Sequence, residues 1–382
     1  MGKAETPVTR REVLQSGGAF AAFSVVPARA VAGSQANSRI SVALIGAGNR
    51  GSYDASIVHA DPRARITALC DLFEDQIEKA QQTIKVDNPN VYKDFEQVLA
   101  SGVDAVIIAT PPIDHPRMLE AAIAAKKHIY CEKPMGVDVE GCLRVIRAGR
   151  NADPKINISV GFQQRYGPVY LEAYKRIQEG RIGELVNARA YWIAGDPFQR
   201  KPYPDPEVAR VRNWFSYKQL SGDIIVEQDC HNFDVLHWFL GGPPLSAVGY
   251  GGIKVRTSMD ILDHLSVAFQ WPDNMVVNYE ANQYTPRYAS KVGEEFTGKD
   301  GFIAVSRARM EHRTASGAPD RMESKRDITY DGIEAFLERV RTGNLENVAE
   351  RSALSTMIAI LGRTAIYSGA EVTWKGLYGV HG

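Results

Sequence analysis

The chain has 382 residues, a length that favours two domains, each with a hydrophobic core of its own. Its 45 lysine and arginine residues balance its 45 aspartate and glutamate residues, and no basic stripe follows the sequence, so a nucleic acid is excluded as an expected partner. The cysteines show neither CxxC spacing nor a paired pattern, which excludes a disulfide scaffold and predicts small buried side chains at Cys70, Cys131, Cys142 and Cys230.

The N-terminal segment has the order of an export signal. Arg10 and Arg11 precede an uncharged run from Leu14 to Pro27, and small residues after this run offer A-x-A cleavage sites. Together with Thr9, this order resembles a twin-arginine signal peptide, which implies export to the periplasm. The run is too short to span a bilayer, so no membrane insertion is expected after removal of the signal. One alternative is a retained signal anchor. The other is a disordered tail with a chance arginine pair, and a chain without a functional signal would stay in the cytoplasm.

Residues 39–160 alternate short apolar runs with helical patterns. The runs are ISVALIG, RITALCD, DAVIIAT, HIYCEKP and NISVGF, and the segments between them include HPRMLEAAIAAKK and DVEGCLRVIRAGRNA. Continuous apolar runs are typical of strands buried on both faces, and their alternation with helices predicts a parallel sheet. We therefore expect an α/β domain here, preceded by a signal peptide or linker in residues 1–38.

Residues 161–382 have a different period. Longer alternating runs, VNARAYWIA, DHLSVAFQW and NMVVNYEANQY, accompany one strong helical stretch, EQDCHNFDVLHWFLG. This pattern predicts an α+β domain with a large, mostly antiparallel open sheet and helices on one face. A helix near residues 350–369 is expected to pack back on the body. Because an open sheet needs cover, a homo-oligomer is expected.

A glycine motif closes the first predicted strand and opens a helix. Its glycines permit a tight turn and close approach of the backbone to a pyrophosphate, so a Rossmann dinucleotide site is predicted. Asp71 ends the second predicted strand, twenty residues after the last glycine, where it can accept hydrogen bonds from ribose hydroxyls. An acid there favours NAD over NADP, although Arg50 could soften this preference. The alternative is a simple glycine turn with a capping aspartate. The cofactor contacts predicted in the motif are Gly46, Gly48, Asn49, Arg50 and Gly51.

The tripeptide Glu132-Lys133-Pro134 follows the fifth predicted strand. Open α/β sheets place their ligands at this carboxyl edge, so Glu132 and Lys133 are predicted to contact the cofactor. Taken alone, Lys133 could equally be a surface lysine beside a turn.

The glycine motif, the EKP tripeptide and a later HNFD stretch together resemble the Gfo/Idh/MocA oxidoreductases, named for glucose-fructose oxidoreductase and inositol dehydrogenase. The resemblance covers nearly the whole chain from Ile40 onward. It implies that Lys133 contacts the reacting hydroxyl, that its bond to Pro134 is often cis, and that His231 transfers the proton. The family's usual Asp-x-x-x-His element is written here with Glu227 in place of the aspartate.

Glu227 and His231 are one turn apart if the stretch is a single helix, so the carboxylate is expected to lean over the imidazole ring or to share its substrate. A histidine suits proton transfer from an alcohol, and Lys133 would stabilise the developing oxyanion. The alternatives are an amphipathic helix with His231 as a core residue, and a metal site of Glu227, His231 and Asp234. No cluster of cysteines and histidines supports that metal site, so no metal is expected.

Further contacts are predicted from the resemblance and from one long loop. The Gln163-Gln164-Arg165 stretch matches a polar family segment near the nicotinamide, which implies a cofactor contact by Arg165. The segment from Gly195 to Gly222 lacks periodicity, as functional loops often do. The residues predicted to contact the substrate are Tyr203, Arg212 and Trp214 in this loop, and Asp234.

The predicted function is hydride transfer between a CH–OH group of a sugar or cyclitol and a tightly bound NAD or NADP. One alternative is an NAD-dependent glycosidase that works by transient oxidation, elimination, hydration and reduction. The other is a sugar- or dinucleotide-binding protein without turnover. Because free NAD is scarce outside the cytoplasm, export of the folded chain favours a cofactor regenerated on the enzyme.

Overall fold

The computed structural model describes residues 39–198 and 200–379. The predicted signal segment, residues 1–38, lies outside the described residues. None of the helices in the described ranges combines the length and the apolar character that crossing a bilayer needs.

The first sheet has six parallel strands in the order β3-β2-β1-β4-β5-β6, as predicted. The strands are β1 (Ile40–Ile45), β2 (Ala64–Cys70), β3 (Asn90–Tyr92), β4 (Ala105–Ile108), β5 (His128–Cys131) and β6 (Ile158–Val160). The connecting helices are α1 (Asn49–Ala60), α2 (Glu74–Ile84), α3 (Phe95–Ala100), α4 (His115–Ala124) and α5 (Val139–Arg150). The strand order reverses between β1 and β4, which pair with each other, so ligands are expected at their carboxyl ends.

Apolar side chains fill both faces of this sheet. Val42 and Leu44 of β1 belong to one hydrophobic core, whereas Ala43 and Ile45 belong to the other. Alternate residues of a strand point to opposite faces, so a strand covered on both sides must be apolar at every position. The four cysteines are buried and free, as expected.

The second sheet has nine strands in the order β14-β13-β12-β11-β7-β10-β9-β8-β15. The strands are β7 (Leu185–Ile193), β8 (Ser246–Gly252), β9 (His264–Gln270), β10 (Val276–Asn282), β11 (Lys291–Gly298), β12 (Gly301–Val305), β13 (Arg309–Thr314), β14 (Asp320–Glu323) and β15 (Val372–Thr373). Among the described strands of this second sheet, only β7 and β10 pair in parallel, so the prediction of a mostly antiparallel sheet is confirmed. Along β10, Val277, Tyr279 and Ala281 are buried and the residues between them are exposed.

The helices after β6 are α6 (Pro168–Gln178), α7 (Pro206–Arg212), α8 (Lys218–Ser221), α9 (Ile224–Glu227), α10 (Cys230–Leu240), α11 (Ile328–Thr342), α12 (Ala349–Ser368) and α13 (Trp374–Gly379). Two of them return to the first sheet. Phe336 and Leu337 of α11 complete the core that contains Leu44. On the other side, α12 packs so closely on α5 that a Cβ at Gly149 would lie 2.6 Å from the Cβ of Ala349. Segments from beyond residue 161 therefore cover the first sheet as well as the second.

Candidate active site

The glycine turn after β1 has the shape that a dinucleotide requires. Gly46 has a φ of +92°, and a Cβ there would lie 2.5 Å from the carbonyl oxygen of Ala109. A Cβ at Gly51 would lie 2.1 Å from the carbonyl oxygen of Gly46, whereas one at Gly48 would meet nothing within 4 Å. Helix α1 follows Gly48 without a side-chain cap, which leaves its first N–H groups available to an anion. The first and last glycines are thus required by packing, and the middle one is open to a ligand.

Asp71, at the end of β2, holds this turn in place. Its Oδ2 accepts a hydrogen bond from the N–H of Ala47 at 2.8 Å, and its Oδ1 accepts one from the N–H of Phe73 at 2.9 Å. Burial raises the pKa of Asp71, and the two backbone donors oppose that rise. Asp71 also lines a cavity of about 430 Å³ together with Gly46 and Gly48, so it can still reach a ribose. We call this space the dinucleotide cavity.

Two of the predicted substrate contacts lie in the dinucleotide cavity instead. Tyr203 and Arg212 line it, and neither lines the cavity that contains Lys133. Arg212 donates to Asp75 and lies 3.9 Å from the ring centroid of Phe73, so its side chain covers the end of the cavity beside β2. The long loop therefore folds back over the edge of the first sheet. Its sequence has no periodicity, so the sequence could not indicate where the loop lies. Trp214 lines both cavities.

A second cavity of about 300 Å³ brings together Lys133, Glu227 and His231. We call it the catalytic cavity. The Nζ of Lys133 donates to the Oε1 of Glu227 at 2.9 Å and to its main-chain oxygen at 2.6 Å. The Lys133–Pro134 peptide is cis. Burial alone would lower the pKa of Lys133, but the Glu227 carboxylate outweighs it and raises that pKa above its ordinary value. The lysine therefore enters the site as a cation.

Of the two expectations for Glu227, the structure does not show the carboxylate leaning over His231, and a substrate shared with His231 stays a prediction. The EQDCHNFD stretch is not one helix, because α9 ends at Glu227 and α10 begins at Cys230 after a two-residue turn. This break directs the carboxylate of Glu227 to Lys133. Both residues still line the same cavity.

His231 is buried between aromatic rings. Trp192 stacks on it with centroids 6.0 Å apart, and Phe162 meets it edge-on at 6.0 Å. Its Nδ1 has no hydrogen-bond partner among the described residues. Burial, and then the positive charges of Lys133 and Arg307, hold the pKa of His231 well below its usual value. The imidazole is therefore neutral near pH 7 and able to accept a proton.

Arg50 and Glu132 also line the catalytic cavity. The Nε and Nη2 of Arg50 both donate to the Oε1 of Glu132, at 3.0 and 2.9 Å, and Nε lies 3.2 Å from Asp54. Burial opposes the ionised form of Glu132, yet Arg50 lowers its pKa below the ordinary value. The side chain of Arg50 lines the catalytic cavity and not the dinucleotide cavity, and its contact with the cofactor stays a prediction.

Arg165 and Asp234 line neither cavity, although the sequence suggested a cofactor and a substrate contact. They pair with each other, with the Nε of Arg165 2.8 Å from Asp234 Oδ2. Asp234 is 1% exposed and also accepts a hydrogen bond from the hydroxyl of Ser355 on α12 at 2.7 Å. Each charge compensates the other, so this pair ties α10 to its neighbours. Because Glu227 pairs with Lys133, the weighed metal set of Glu227, His231 and Asp234 does not converge.

Three residues of the catalytic cavity carry no sequence signal. His115 at the start of α4 hydrogen-bonds the carbonyl oxygens of Pro134 and Thr110 at 2.7 and 2.9 Å, which braces the Lys133 turn. Trp192 comes from the end of β7, and Arg307 from the hairpin between β12 and β13. No spacing relates these positions to the EKP or HNFD motifs.

Comparison with known proteins agrees with this geometry. Residues 40–162 match the family model described as oxidoreductase family, NAD-binding Rossmann fold, and residues 170–304 match the GFO/IDH/MocA C-terminal domain. The chain therefore belongs to the Gfo/Idh/MocA family of oxidoreductases, and the first sheet is the sheet of its NAD-binding domain.

Relatives of known activity are distant. An inositol 2-dehydrogenase of Rhizobium meliloti is 29% identical over 59% of this chain, and the match spans 62% of that protein's length. A scyllo-inositol 2-dehydrogenase (NAD(+)) of Bacillus subtilis is 24% identical over 87% of this chain and 96% of its own. A levoglucosan dehydrogenase in complex with NADH and levoglucosan has a TM-score of 0.75 at 18% identity, covering 88% of this chain and 99% of that one. At this identity the structural likeness shows a shared fold.

Proposed function

We propose that the protein is an NAD-dependent dehydrogenase that acts on a CH–OH group of a sugar or cyclitol. One observation carries the proposal: a neutral histidine with an unpartnered nitrogen and a charged lysine line one cavity at the carboxyl edge of an NAD-binding sheet. The relatives named as inositol and levoglucosan dehydrogenases support the substrate class. Trp192 and Trp214 offer aromatic faces on which such a ring can lie.

In this proposal the residues divide the chemistry of one oxidation. NAD, when bound, supplies the hydride acceptor. His231 accepts the hydroxyl proton, and Lys133 donates a hydrogen bond to the oxygen on which negative charge develops. Hydride leaves the carbon and the proton leaves the oxygen, so a carbonyl product forms. Glu227 keeps Lys133 charged and directed into the cavity, which makes it a positioning residue.

The test is formation of NADH from a panel of sugars and cyclitols by the purified chain. Lys133→Ala is expected to lower kcat by about 100-fold or more, because a donor to a developing oxyanion is lost. Lys299→Ala, an exposed lysine that pairs with Glu184, is the matched control and should turn over normally. Unchanged turnover by Lys133→Ala would remove the proposed mechanism. Hydrolysis of a glycoside without net NADH would favour the glycosidase alternative.

We also propose that residues 1–38 direct twin-arginine export of the folded chain with NAD in place. Arg10, Arg11 and the uncharged run after them support this proposal. A fusion of residues 1–38 to a reporter should reach the periplasm, and the Arg10→Lys, Arg11→Lys double variant should stay inside. Native mass spectrometry of the mature protein should show bound NAD, and a chain that arrives without it would contradict export with the cofactor in place.

The proposed assembly is a homo-oligomer that covers the outer face of the second sheet. Val248 and Tyr250 of β8 and Val276 of β10 lie on this face and are 42%, 75% and 42% exposed. Exposed apolar groups on an open sheet favour self-association. Light scattering during gel filtration should show a multimer that Tyr250→Glu weakens, and a monomer at micromolar concentration would contradict the proposal.

A further inference from the structure

A second arginine reaches the catalytic cavity from the second sheet. Arg307 lies in the three-residue connection between β12 and β13, and the N–H of Ser306 closes this turn by donating to the carbonyl oxygen of Arg309 at 2.8 Å. The Arg307 guanidinium lies 5.8 Å from the ring centroid of Trp192, the same indole that stacks on His231. A short hairpin thus places a planar cation beside the imidazole.

The other cations of this cavity already have carboxylate partners. Arg50 is 2.9 Å from Glu132, and Lys133 is 2.9 Å from Glu227. Arg307 makes no hydrogen bond or ion pair with any residue in the described ranges. Asp54 stands behind Arg50 but does not balance this charge, because burial and the neighbouring Glu132 raise its pKa well above the ordinary value. Asp327 and Glu132 act on Arg307 only from a distance, so one guanidinium in the wall of the cavity has no carboxylate in hydrogen-bond contact among the described residues.

The NAD phosphates are not the partner of this charge. Gly46 and Gly48 of the glycine turn line the dinucleotide cavity, and Arg307 does not. Arg307 instead shares its wall with His231 and Lys133, where the reacting ring must lie. An anion that pairs with Arg307 would thus belong to the substrate.

We infer that Arg307 is a specificity-determining residue that binds a carboxylate on the substrate ring, so that the preferred substrate is a sugar acid of the uronate type. The inference rests on the proposed function. A guanidinium matches a carboxylate with two parallel hydrogen bonds, and one unpaired positive charge matches one negative charge. A phosphate ester carries close to two charges and would leave one of them without a partner in this cavity. A neutral cyclitol would leave Arg307 unpaired.

The experiment compares matched pairs of substrates. Glucuronate, galacturonate and mannuronate are each assayed with NAD beside glucose, galactose and mannose, and glucose 6-phosphate serves as the phosphate arm. At least one acid should exceed its neutral partner in kcat/KM by about 10- to 100-fold, the range expected for a hydrogen bond to a charged group. Arg307→Ala should abolish this preference, because kcat/KM should fall far more for the acid than for the neutral hexose. Arg307→Lys should restore part of it, because charge returns without the planar pair of donors.

Arg309→Ala is the control on the same hairpin, because Arg309 is an exposed strand residue that faces Glu323. It should keep the wild-type preference. No preference for any acid, a stronger preference for the phosphate, or an equal loss on acid and neutral sugar in Arg307→Ala would each overturn the inference.

A binding measurement distinguishes a failure of this inference from a failure of the proposed function. Titration of the NAD-loaded protein with each acid should change the fluorescence of Trp192, and Arg307→Ala should weaken that binding by about 10-fold or more. Tight binding that depends on Arg307 without any NADH formation would keep the carboxylate site and reject the dehydrogenase. NADH formation from neutral sugars alone would keep the dehydrogenase and reject the carboxylate site.

Discussion

The two cavities are built in different ways. The dinucleotide cavity is lined mainly by loops of the first sheet, from the glycine turn, the end of β2, the β3–α3 turn and the β4–α4 segment, and the long loop after β7 adds its cover. The catalytic cavity is made of side chains from separate segments, including the β5 edge, the α9–α10 break and the β12–β13 hairpin. The first cavity can therefore be damaged by adding a methyl group, and the second by removing a functional group.

The largest expected effect comes from His231. His231→Gln keeps a polar side chain of similar size but cannot accept the proton, so kcat should fall by about 10²- to 10⁴-fold. The dissociation constant of NAD should stay within about twofold, because His231 does not line the dinucleotide cavity. Stopped-flow measurement of turnover checks the loss of kcat, and titration with NAD checks the dissociation constant. Equal damage to both would show that the cavities are not separate.

Gly46→Ala is expected to damage the other cavity. The added Cβ would meet Ala109 at 2.5 Å in a backbone conformation that alanine disfavours, so we expect about 1–3 kcal/mol of lost stability and weaker NAD binding. Gly48→Ala is the matched control, because its Cβ has open space and its φ is −69°. It should unfold like the wild type and lose only affinity for NAD. Denaturant unfolding and NAD titration of both variants test the difference.

Glu227 should have a smaller effect, because it acts through Lys133. Glu227→Gln removes the carboxylate that raises the pKa of Lys133, so the alkaline limb of the kcat profile should move to lower pH and kcat should fall by about 10-fold. Glu227→Asp keeps the charge and should restore the limb. A profile that does not move in Glu227→Gln would contradict the positioning role.

The smallest effect is that of pH near neutrality. The pKa of His231 is depressed, and only the neutral imidazole can accept a proton, so activity is lost as pH falls through that low pKa and is fully present above it. Between pH 6.5 and 8, kcat/KM should change by less than about twofold. A midpoint near the ordinary histidine pKa of about 6.5 would show that the ring is not held neutral by burial.

Periodicity was enough to predict both sheets, because a strand covered on two faces and a strand covered on one leave different apolar patterns. The glycine turn was also predictable, since all of its parts lie between β1 and β2. Charged partners were not, because Arg50 and Glu132 are 82 positions apart and Arg165 and Asp234 are 69 apart.

Local motifs therefore gave the identity of the reacting groups but not their pairing. Lys133, Glu227 and His231 were predicted to act together, and the structure brings them to one cavity. The helical spacing suggested that the Glu227 carboxylate contacts His231. The break before α10 directs that carboxylate to Lys133 instead. Arg307 lies in the three-residue connection between β12 and β13, where no sequence motif marks it, so only the fold shows its position.

Trp214 is the one predicted substrate contact that lines both cavities. A dinucleotide in the dinucleotide cavity would contact this indole, and a sugar in the catalytic cavity would meet the same side chain. We therefore expect a compulsory order of addition, with NAD first. Calorimetric titration should then show a sugar binding to the NAD-loaded protein and not to the protein stripped of NAD.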